Sequence, residues 1–277
     1  YSPVKSITVA HTAARREEIA AGRIGDADRL DRALTIRSTI EDALWAGNTA
    51  ALEYLSDHAT ARAGRHGGAG STGRWVKAPG LVTATFFQHT NRNVDPQLHF
   101  HNPTLNRVRC EDGVWRALDG KDLARHQHAA GAIAARVTME RLAAAGFAVE
   151  VRDNGARELQ VVDEAVCALY SSRRREIEAG VAPLVQALEE ARGRELTDLE
   201  LHYVRQEVAL ATRRGKSAAV PETPAEMMER LDAKLVGVGQ SLERVYTQMG
   251  LHLADGPRQG EDWSPEAVVS EALAACG

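Results

Sequence analysis

The stretch from Phe87 to Asn106 (FQHTNRNVDPQLHFHNPTLN) places the strongest constraint on the fold of this chain, because it joins two strand-like runs through turn-forming residues. His99 and His101 lie two residues apart, so their imidazoles point to the same face of a strand. A turn centred near Val94 places His89 opposite His99 on the partner strand. Three imidazoles on one sheet face can hold a divalent metal ion with coordination positions left open. We therefore predict a metal site formed by His89, His99 and His101.

Two polar residues near these histidines are candidates for hydrogen bonding around the metal. Gln97 shares the face of His99 and His101 by strand alternation, so its amide can reach an imidazole or a substrate. Asp95 lies in the turn and is a second candidate, although an aspartate there is also typical of an Asx turn. A neutral three-histidine site suits Zn, Mn, Ni or Co, and it accepts Mg when substrate phosphates complete the coordination shell.

The composition limits the class of protein. The chain has 277 residues, 44% of them hydrophobic and 26% charged, which is ordinary for one large or two small globular domains. The sequence predicts no membrane span and no signal peptide. The three cysteines, Cys110, Cys167 and Cys276, are too far apart for a metal knuckle or a disulfide framework, and this predicts a reducing, cytoplasmic location. Because the net charge is −4, nucleic-acid binding requires a local basic patch.

Hydrophobic periodicity predicts an α+β fold. An antiparallel sheet with packed helices is expected over residues 1–162, then a mostly helical part over 163–255 and a tail over 256–277. The expected strands are 4–12, 74–78, 80–90, 97–108, 114–118, 147–152 and 157–162. Within the strand expected over 80–90, residues 81–87 are expected to be central in the sheet and covered on both faces. The expected helices are 25–63, 121–145, 163–179, 181–193, 197–213 and 224–249. The first is either one long helix or two helices with a break near Gly47-Asn48. The Gly-rich segment 64–73 lacks the lysine of a phosphate-binding loop, and we expect a mobile hairpin tip or insertion there.

Basic and aromatic residues are interleaved in the predicted sheet region. Cations near a metal that binds a phosphodiester can position a nucleic-acid backbone, and tryptophans beside them can stack on unpaired bases. The candidate DNA-binding residues are Lys5, Arg74, Lys77, Arg92, Arg107, Arg109, Trp75 and Trp115.

A long motif around the histidines resembles a known family. FFQHTNRNVDPQLHFHNPTLNRV, followed by DGVWRALDGKDLARHQHAAGAI, is similar to the relaxase domain of TrwC/TraI-type (MobF) conjugative relaxases. In this sequence the motif reads F-x-H-x-x-R-x-x-D-P-Q-L-H-x-H, then N-R, then D-G-x-W-R-A-L, then an Ala-rich helix. The N-terminal SPVKSIT is also similar to the S-A-P-K-S-V-S strand of that family. The resemblance covers residues 1–255 and implies a palm-like antiparallel sheet with a helical fingers part, in which the three histidines are the HUH metal triad.

The resemblance also implies an activity and its partners. Members of this family are site- and strand-specific nickases that cut and rejoin plasmid DNA at an origin of transfer during conjugation. A tyrosine attacks the scissile phosphate and stays linked to the 5′ end, leaving a free 3′-OH, while a divalent metal ion (Mg, Mn, Zn, Ni or Co) neutralises the developing charge. The implied partners are single-stranded or hairpin DNA at the origin and other relaxosome proteins.

The sequence departs from the family pattern at the nucleophile. The family's nucleophilic tyrosines and acidic base precede the segment that matches residues 2–8, and this sequence has no counterpart of them. Tyr1 lies at a strand position, and the other four tyrosines lie in helical patterns: Tyr54, Tyr170, Tyr203 and Tyr246. We therefore expect a domain that binds metal and DNA but does not nick DNA alone. Two alternatives remain open, a non-catalytic metal- and single-stranded-DNA-binding remnant and a three-histidine hydrolase or dioxygenase with a small-molecule substrate.

Overall fold

A computed structural model describes residues 1–64, 73–91, 93–152, 155–213 and 222–254. Within these ranges the chain forms helices and short antiparallel strands, which confirms the predicted α+β class. The helices are α1 (Lys5–Ile24), α2 (Ala27–Asp57), α3 (Gly120–Arg125), α4 (Gln127–Ala144), α5 (Glu164–Leu169), α6 (Ser172–Arg192), α7 (Asp198–Ala211), α8 (Pro224–Val236) and α9 (Leu242–Ala254). The strands are β1 (Thr60–Ala63), β2 (Arg74–Lys77), β3 (Phe86–Thr90), β4 (Pro96–His101), β5 (Val108–Arg109), β6 (Trp115–Arg116), β7 (Val149–Val151) and β8 (Arg157–Leu159).

Helix α1 replaces the strand predicted for residues 4–12, so that prediction was wrong. All nine residues from Ser6 to Ala14 are buried, which means that this part of the helix is surrounded by other elements. Burial on every side hides the periodicity that marks an amphipathic helix, and tertiary packing overrides the β preference of Ile7, Thr8 and Val9.

Helix α2 confirms most of the helix predicted for 25–63 and is continuous for 31 residues, without a break near Gly47. The end of the predicted span was wrong, because Thr60–Ala63 forms β1. The Asp26 carboxylate caps the first turn of α2 by accepting a hydrogen bond from the Arg29 backbone N–H at 3.0 Å. Helix α4 packs along α2. The helix predicted for 121–145 is divided at His126 into α3 and α4, and the Asp119 side chain caps α3.

The strands form four separate antiparallel pairs, β1–β2, β3–β4, β5–β6 and β7–β8. The central strand predicted over 81–87 was wrong. Val82 and Phe86 are 54% and 57% exposed, and Thr83 makes only an isolated bridge to Thr104. The β1–β2 pair flanks the Gly-rich segment, of which residues 65–72 lie outside the described residues. Among the described residues, Cys110 and Cys167 are free and buried.

The main hydrophobic core joins the two halves of the chain. It contains Ile7 of α1, Leu44 of α2 and Phe100 of β4 together with Leu235 of α8 and Val245 of α9. Helices α6 and α7 pack on each other around a smaller apolar cluster of their own. The boundary predicted near residue 162 stays a prediction. None of the described helices is long and apolar enough to cross a membrane.

Candidate metal centre

The β3–β4 hairpin carries the three predicted histidines, and its register differs from the predicted one. Gln88, not His89, lies opposite His99. Directly opposite residues of an antiparallel pair share a face, so His99 and His101 share one face and His89 lies on the other. The predicted register was therefore wrong by one residue, and the structure does not bring the three imidazoles together.

The apolar residues of the hairpin explain this register. Phe87 pairs with Phe100, and both contact the main core together with Leu98. A shift of one residue would turn one of the phenylalanine rings towards solvent, because side chains alternate between faces. The ladder is also irregular beyond Gln88, where Thr90 pairs with Pro96.

His99 and His101 remain together on the outer face, with ring centroids 4.8 Å apart. The His99 Nδ1 donates to the backbone carbonyl of Gln97 at 2.9 Å, which leaves the Nε2 lone pair free for a ligand. The Gln97 side chain instead donates to the Ser2 hydroxyl at 3.1 Å. Gln97 thus orients His99 through its main chain, and metal ligation by the two histidines stays a prediction.

Asp95 ties the hairpin turn to two helices rather than to an imidazole. Its carboxylate is fully buried and accepts hydrogen bonds from Lys234 Nζ at 2.8 Å and from the Ser172 backbone N–H at 3.1 Å. Burial raises the pKa of Asp95, but the hydrogen bonds from Lys234 and Ser172 outweigh burial and lower it below its usual value. The Asx turn is made by Asn91, whose side chain accepts from the backbone N–H of Asn93 at 2.9 Å and also from that of Asp95 at 3.0 Å.

A different group of ligand-type side chains lies on the inner side of the hairpin. His11 of α1, Glu41 of α2 and His89 of β3 each offer a ligand atom, and all three atoms lie within 4.8 Å of one another. His11 Nε2 is 2.8 Å from Glu41 Oε1, and the rings of His11 and His89 are 5.5 Å apart. Among the described residues, no such group of three includes His99 or His101.

Sequence reasoning missed His11 and Glu41 because they lie 30 residues apart on two different helices. No short motif connects them, and the segment that contains His11 was predicted to be a strand. The helical spacing of His11 with Arg15 is visible only once α1 is known to be a helix.

The protonation states of this group favour a cation. Burial is the largest effect on His89 and lowers its pKa, which keeps the imidazole neutral near pH 7. Burial alone would raise the pKa of Glu41, but hydrogen bonds from His11 and Arg37 outweigh it and lower this pKa to about 2. A neutral imidazole and an ionised carboxylate are the forms that bind metal ions.

A cavity of about 380 Å³ opens beside His11, Glu41 and His89. Its floor is apolar, with Leu98 of β4 and Met228 of α8, and Arg15 and Arg37 line one side. A pocket of this size has room for waters or a small ligand next to the three ligand-type side chains.

The predicted DNA-binding residues lie mostly on two neighbouring hairpins. The pairs β1–β2 and β5–β6 share a small apolar cluster that includes Ala61 and Val108, and a bridge joins Ala61 to Leu118. The exposed predicted residues of this region are Arg74, Trp75, Lys77, Arg107, Arg109 and Trp115.

The tryptophans of these hairpins face outwards beside cations. Trp75 is 46% exposed and Trp115 is 55% exposed. The Arg62 guanidinium lies 4.3 Å from the centre of the Trp75 ring, and Arg109 is the cross-strand partner of Trp115. This arrangement can bind a phosphate backbone and stack on bases at the same surface.

One predicted DNA-binding residue does not join that surface, and another is not among the described residues. Lys5 is half-buried and donates to the Pro96 carbonyl at 2.9 Å, and burial lowers its pKa. Arg92 lies outside the described residues.

Three of the five tyrosines are held by contacts away from the histidines of the hairpin. The Tyr1 hydroxyl donates to Thr138 Oγ1 at 3.0 Å, and burial raises the pKa of Tyr1 to about 12. Tyr54 is hydrogen-bonded to the His126 ring, and Tyr170 is fully buried. The remaining two lie on α7 and α9: Tyr203 and Tyr246.

Comparisons with known proteins identify relatives of this fold. The family model of TrwC relaxases matches residues 32–237. A solved structure of conjugative relaxase TrwC in complex with mutant oriT DNA superposes with a TM-score of 0.64 at 23% identity, over 87% of this chain and 73% of that one. A metal-bound structure of TrwC with oriT DNA gives a TM-score of 0.63 at 22% identity, over 87% and 71%.

TrwC complexed with a 27-mer DNA comprising the recognition hairpin and the cleavage site gives a TM-score of 0.60 at 22% identity, over 87% of this chain and 73% of that chain. At such identities the solved structures show that the fold is shared. No curated protein sequence matches the chain.

Proposed function

Because the chain belongs to the TrwC relaxase family, we propose that it binds single-stranded or hairpin DNA at an origin of transfer and serves the metal-dependent nicking and rejoining of one strand there. The observation that carries this proposal is the outer face of the β1–β2 and β5–β6 hairpins, where exposed tryptophans lie beside exposed cations. The DNA complexes of TrwC, which share the fold, support DNA as the partner. Other relaxosome proteins are further proposed partners.

The hairpin face would hold DNA through two kinds of contact. Lys77, which shares the face of Trp75 on β2, and Arg109 supply positive charge for the phosphates. Trp75 and Trp115 offer ring faces to unpaired bases, which requires DNA that is single-stranded or opened. The net charge of −4 restricts strong attraction to such local patches.

His99 and His101 are the proposed ligands of the divalent metal that serves DNA cleavage. The hydrogen bond from His99 Nδ1 to Gln97 fixes the ring and directs Nε2 to the ligand. Two imidazoles suit Zn, Mn, Ni or Co, and phosphate oxygens would complete the shell for Mg. When bound, such an ion supplies positive charge next to a phosphate oxygen.

The proposed cleavage is a transesterification by a tyrosine hydroxyl. The hydroxyl oxygen forms a bond to phosphorus, the bond from phosphorus to the 3′ oxygen breaks, and that oxygen leaves as a 3′-OH after it gains a proton. We assign this role to none of the five tyrosines, given the contacts described above for Tyr1, Tyr54 and Tyr170. These contacts favour a second candidate function, in which the chain binds metal and single-stranded DNA without cutting it.

Fluorescence anisotropy with a labelled hairpin oligonucleotide carrying a single-stranded tail tests the DNA surface. Stacking contributes about 1–3 kcal/mol per base, so we expect Trp75→Ala and Trp115→Ala each to weaken binding roughly tenfold. Leu199→Ala is the matched control, because Leu199 is an exposed apolar residue on α7. Lys77→Ala should reduce the slope of log K against log salt by about 0.7, the value for one phosphate contact on a single strand. If all four variants bind the oligonucleotide with the same affinity as the unchanged protein, these hairpins do not form the DNA-binding surface.

A cleavage assay separates the two candidate functions. Supercoiled plasmids or oligonucleotides that carry origin sequences are incubated with the protein and Mg²⁺ or Mn²⁺. Covalent protein–DNA adducts that disappear in one Tyr→Phe variant would identify the nucleophile and support nicking. Binding without adducts would support the non-catalytic function. Under both candidate functions, we expect the His99→Ala/His101→Ala double variant to lose the metal ion that these two histidines bind.

A further inference from the structure

We infer that Phe86 is a base-stacking residue beside the proposed metal centre, where it holds a base next to the phosphate that lies at His99 and His101. This role rests on the proposed function and names the residue that positions the DNA strand at the metal ion. Phe86 lies directly opposite His101 on the β3–β4 hairpin, and its side chain shares the outer face with both histidines.

An exposed apolar strip runs along this outer face towards the two histidines. The two chain segments stay side by side beyond the β3–β4 ladder, since the Leu105 backbone N–H donates to the Val82 carbonyl at 2.8 Å. Alternate residues of both segments therefore face outwards. The apolar residues of this strip are all exposed: Val82, Ala84, Phe86, Pro103 and Leu105. A contiguous apolar patch of this kind on a protein surface is typical of a binding site.

The ring of Phe86 is available to a ligand, unlike that of its neighbour. Phe87 points the other way and stacks on Phe100 in the core, with ring centroids 4.7 Å apart. More than half of Phe86 is exposed. An exposed ring can stack on any unpaired base, because every base has a π-face. Phe86 is also the aromatic member of the strip, which makes it the residue best suited to hold a base.

The charge of the outer face favours different places for the phosphate and for the base. The described segments 82–88 and 99–105, which form this face, contain no lysine, arginine, aspartate or glutamate. On this face, a phosphate would therefore find positive charge at a metal ion held by the histidines. The base carries no charge and fits the apolar strip, which begins at Phe86 beside that ion.

The spacing on the hairpin fits one nucleotide. Side chains directly opposite each other on an antiparallel pair have Cβ atoms about 4.5–5.5 Å apart, and diagonal neighbours are about 7–8 Å apart. Phe86 is the direct neighbour of His101 and the diagonal neighbour of His99. A base and its phosphate are joined through a single sugar, so the base can stack on Phe86 while phosphate oxygens reach the ion. Stacking would thus hold the reacting phosphate in a fixed orientation.

The first test measures the affinity of the full chain for the hairpin oligonucleotide with a single-stranded tail, by fluorescence anisotropy in Mn²⁺. Phe86→Ala should weaken binding roughly tenfold, the loss expected when one stacked base is removed. Phe86→Trp should bind at least as tightly as the unchanged protein, because it keeps an aromatic ring. Val151→Ala, at an exposed apolar position of β7, is the matched control and should change nothing. Since both positions are exposed, the circular dichroism spectra should stay unchanged.

The second test locates the base and the phosphate along the tail. Oligonucleotides with one abasic site each should include a position where the missing base weakens binding roughly tenfold and Phe86→Ala causes no further loss, because two changes that remove the same contact are not additive. A single phosphorothioate at the metal-bound phosphate should weaken binding in Mn²⁺ and restore it in Cd²⁺, because sulfur is a soft ligand. That phosphate should be one of the two that flank the abasic position.

Three results would overturn the role of Phe86. If Phe86→Trp binds as weakly as Phe86→Ala, or if neither changes the affinity while Trp75→Ala and Trp115→Ala weaken it, Phe86 does not stack on a base, and the proposed function stands. If the metal-sensitive phosphate lies away from the abasic position, or if either position is not found, Phe86 does not act at the metal centre. If the Phe86, Trp75 and Trp115 variants all keep the affinity of the unchanged protein, the proposed DNA surface fails as well.

Discussion

Gly47 of α2 lies where α2 and α4 approach most closely, and its replacement by alanine tests that packing. An ideal Cβ at Gly47 would lie 2.2 Å from Thr138 Oγ1 and 2.5 Å from the Ala134 carbonyl oxygen. The threonine hydroxyl is itself fixed, since it donates to the same carbonyl at 2.8 Å and accepts from Tyr1. Neither atom can move away without separating the two helices.

The magnitude follows from two opposing effects. Ordinary van der Waals contact begins near 3.4 Å, so the helices would have to separate by about 0.9 Å at Ala134. Overpacking of this kind costs about 1–3 kcal/mol. The cost of Gly47→Ala should lie at the upper end of that range, because the Ala134 carbonyl belongs to the backbone and cannot rotate away. Alanine is the better helix former by about 1 kcal/mol. The expected net loss in the free energy of unfolding is about 2 kcal/mol.

Gly131→Ala is the matched control on the partner helix. Gly131 lies in α4, is exposed, and has no atom within 4 Å of its ideal Cβ. Only the helix propensity applies there, so stability should rise by about 1 kcal/mol.

Thermal unfolding followed by circular dichroism at 222 nm checks both substitutions. For a chain of this size about 1 kcal/mol shifts Tm by roughly 2–4 °C. Gly47→Ala should therefore lower Tm by roughly 4–8 °C, and Gly131→Ala should raise it by roughly 2–4 °C. If the two substitutions shift Tm in the same direction, the close approach of α2 and α4 at Gly47 is wrong.

Two further predictions concern buried polar groups. Asp95→Asn should destabilise the protein by about 2–3 kcal/mol, because hydrogen bonds to a buried charge each contribute about 1.5–3 kcal/mol. Folding lowers the pKa of Asp95 from its usual 3.8. The stabilisation by the Asp95 carboxylate is therefore present above pH 3.8 and is lost as the pH falls through the folded pKa. In urea unfolding, the free energies of the unchanged protein and of Asp95→Asn should converge in acid. Asp112→Asn, at an exposed position, should lower the free energy of unfolding far less at neutral pH. Tyr170→Phe removes a buried hydrogen bond to the Leu231 carbonyl and should lower the free energy of unfolding by about 1 kcal/mol without altering DNA affinity.

The elements that local chemistry determines were predictable from the sequence. Asp26 marks the start of α2, and Thr197 with Glu200 forms the capping box that begins α7. The turn containing Gly155, which has a positive φ of 74°, joins β7 to β8. In each case the residues that fix the backbone are within a few positions of one another, so a short window contains the whole cause.

The elements that depend on distant packing were not predictable in this way. A short alternation of Ile7, Thr8 and Val9 is compatible with a strand, and only the core around α1 selects a helix. The same limit applies to the candidate metal site. His11 and Glu41 meet because α1 packs on α2, and no spacing in the sequence records that contact.

The histidine spacing shows how a motif can be recognised while its geometry is misjudged. Moving His89 to the face of His99 would require the hairpin to slip by one residue, which exposes Phe87 and turns Gln88 into the core. Burial of a phenylalanine side chain contributes about 1.5–3 kcal/mol, and burial of an amide without a partner costs about 1–3 kcal/mol. The same slip would bury Phe86, which is 57% exposed, so the two phenylalanine terms largely offset each other, and the unpaired Gln88 amide, at about 1–3 kcal/mol, is what favours the observed register before any metal ion is considered. The face of each imidazole is therefore set by its apolar neighbours, and His89 lies on the same side of the hairpin as Phe87 and Leu98.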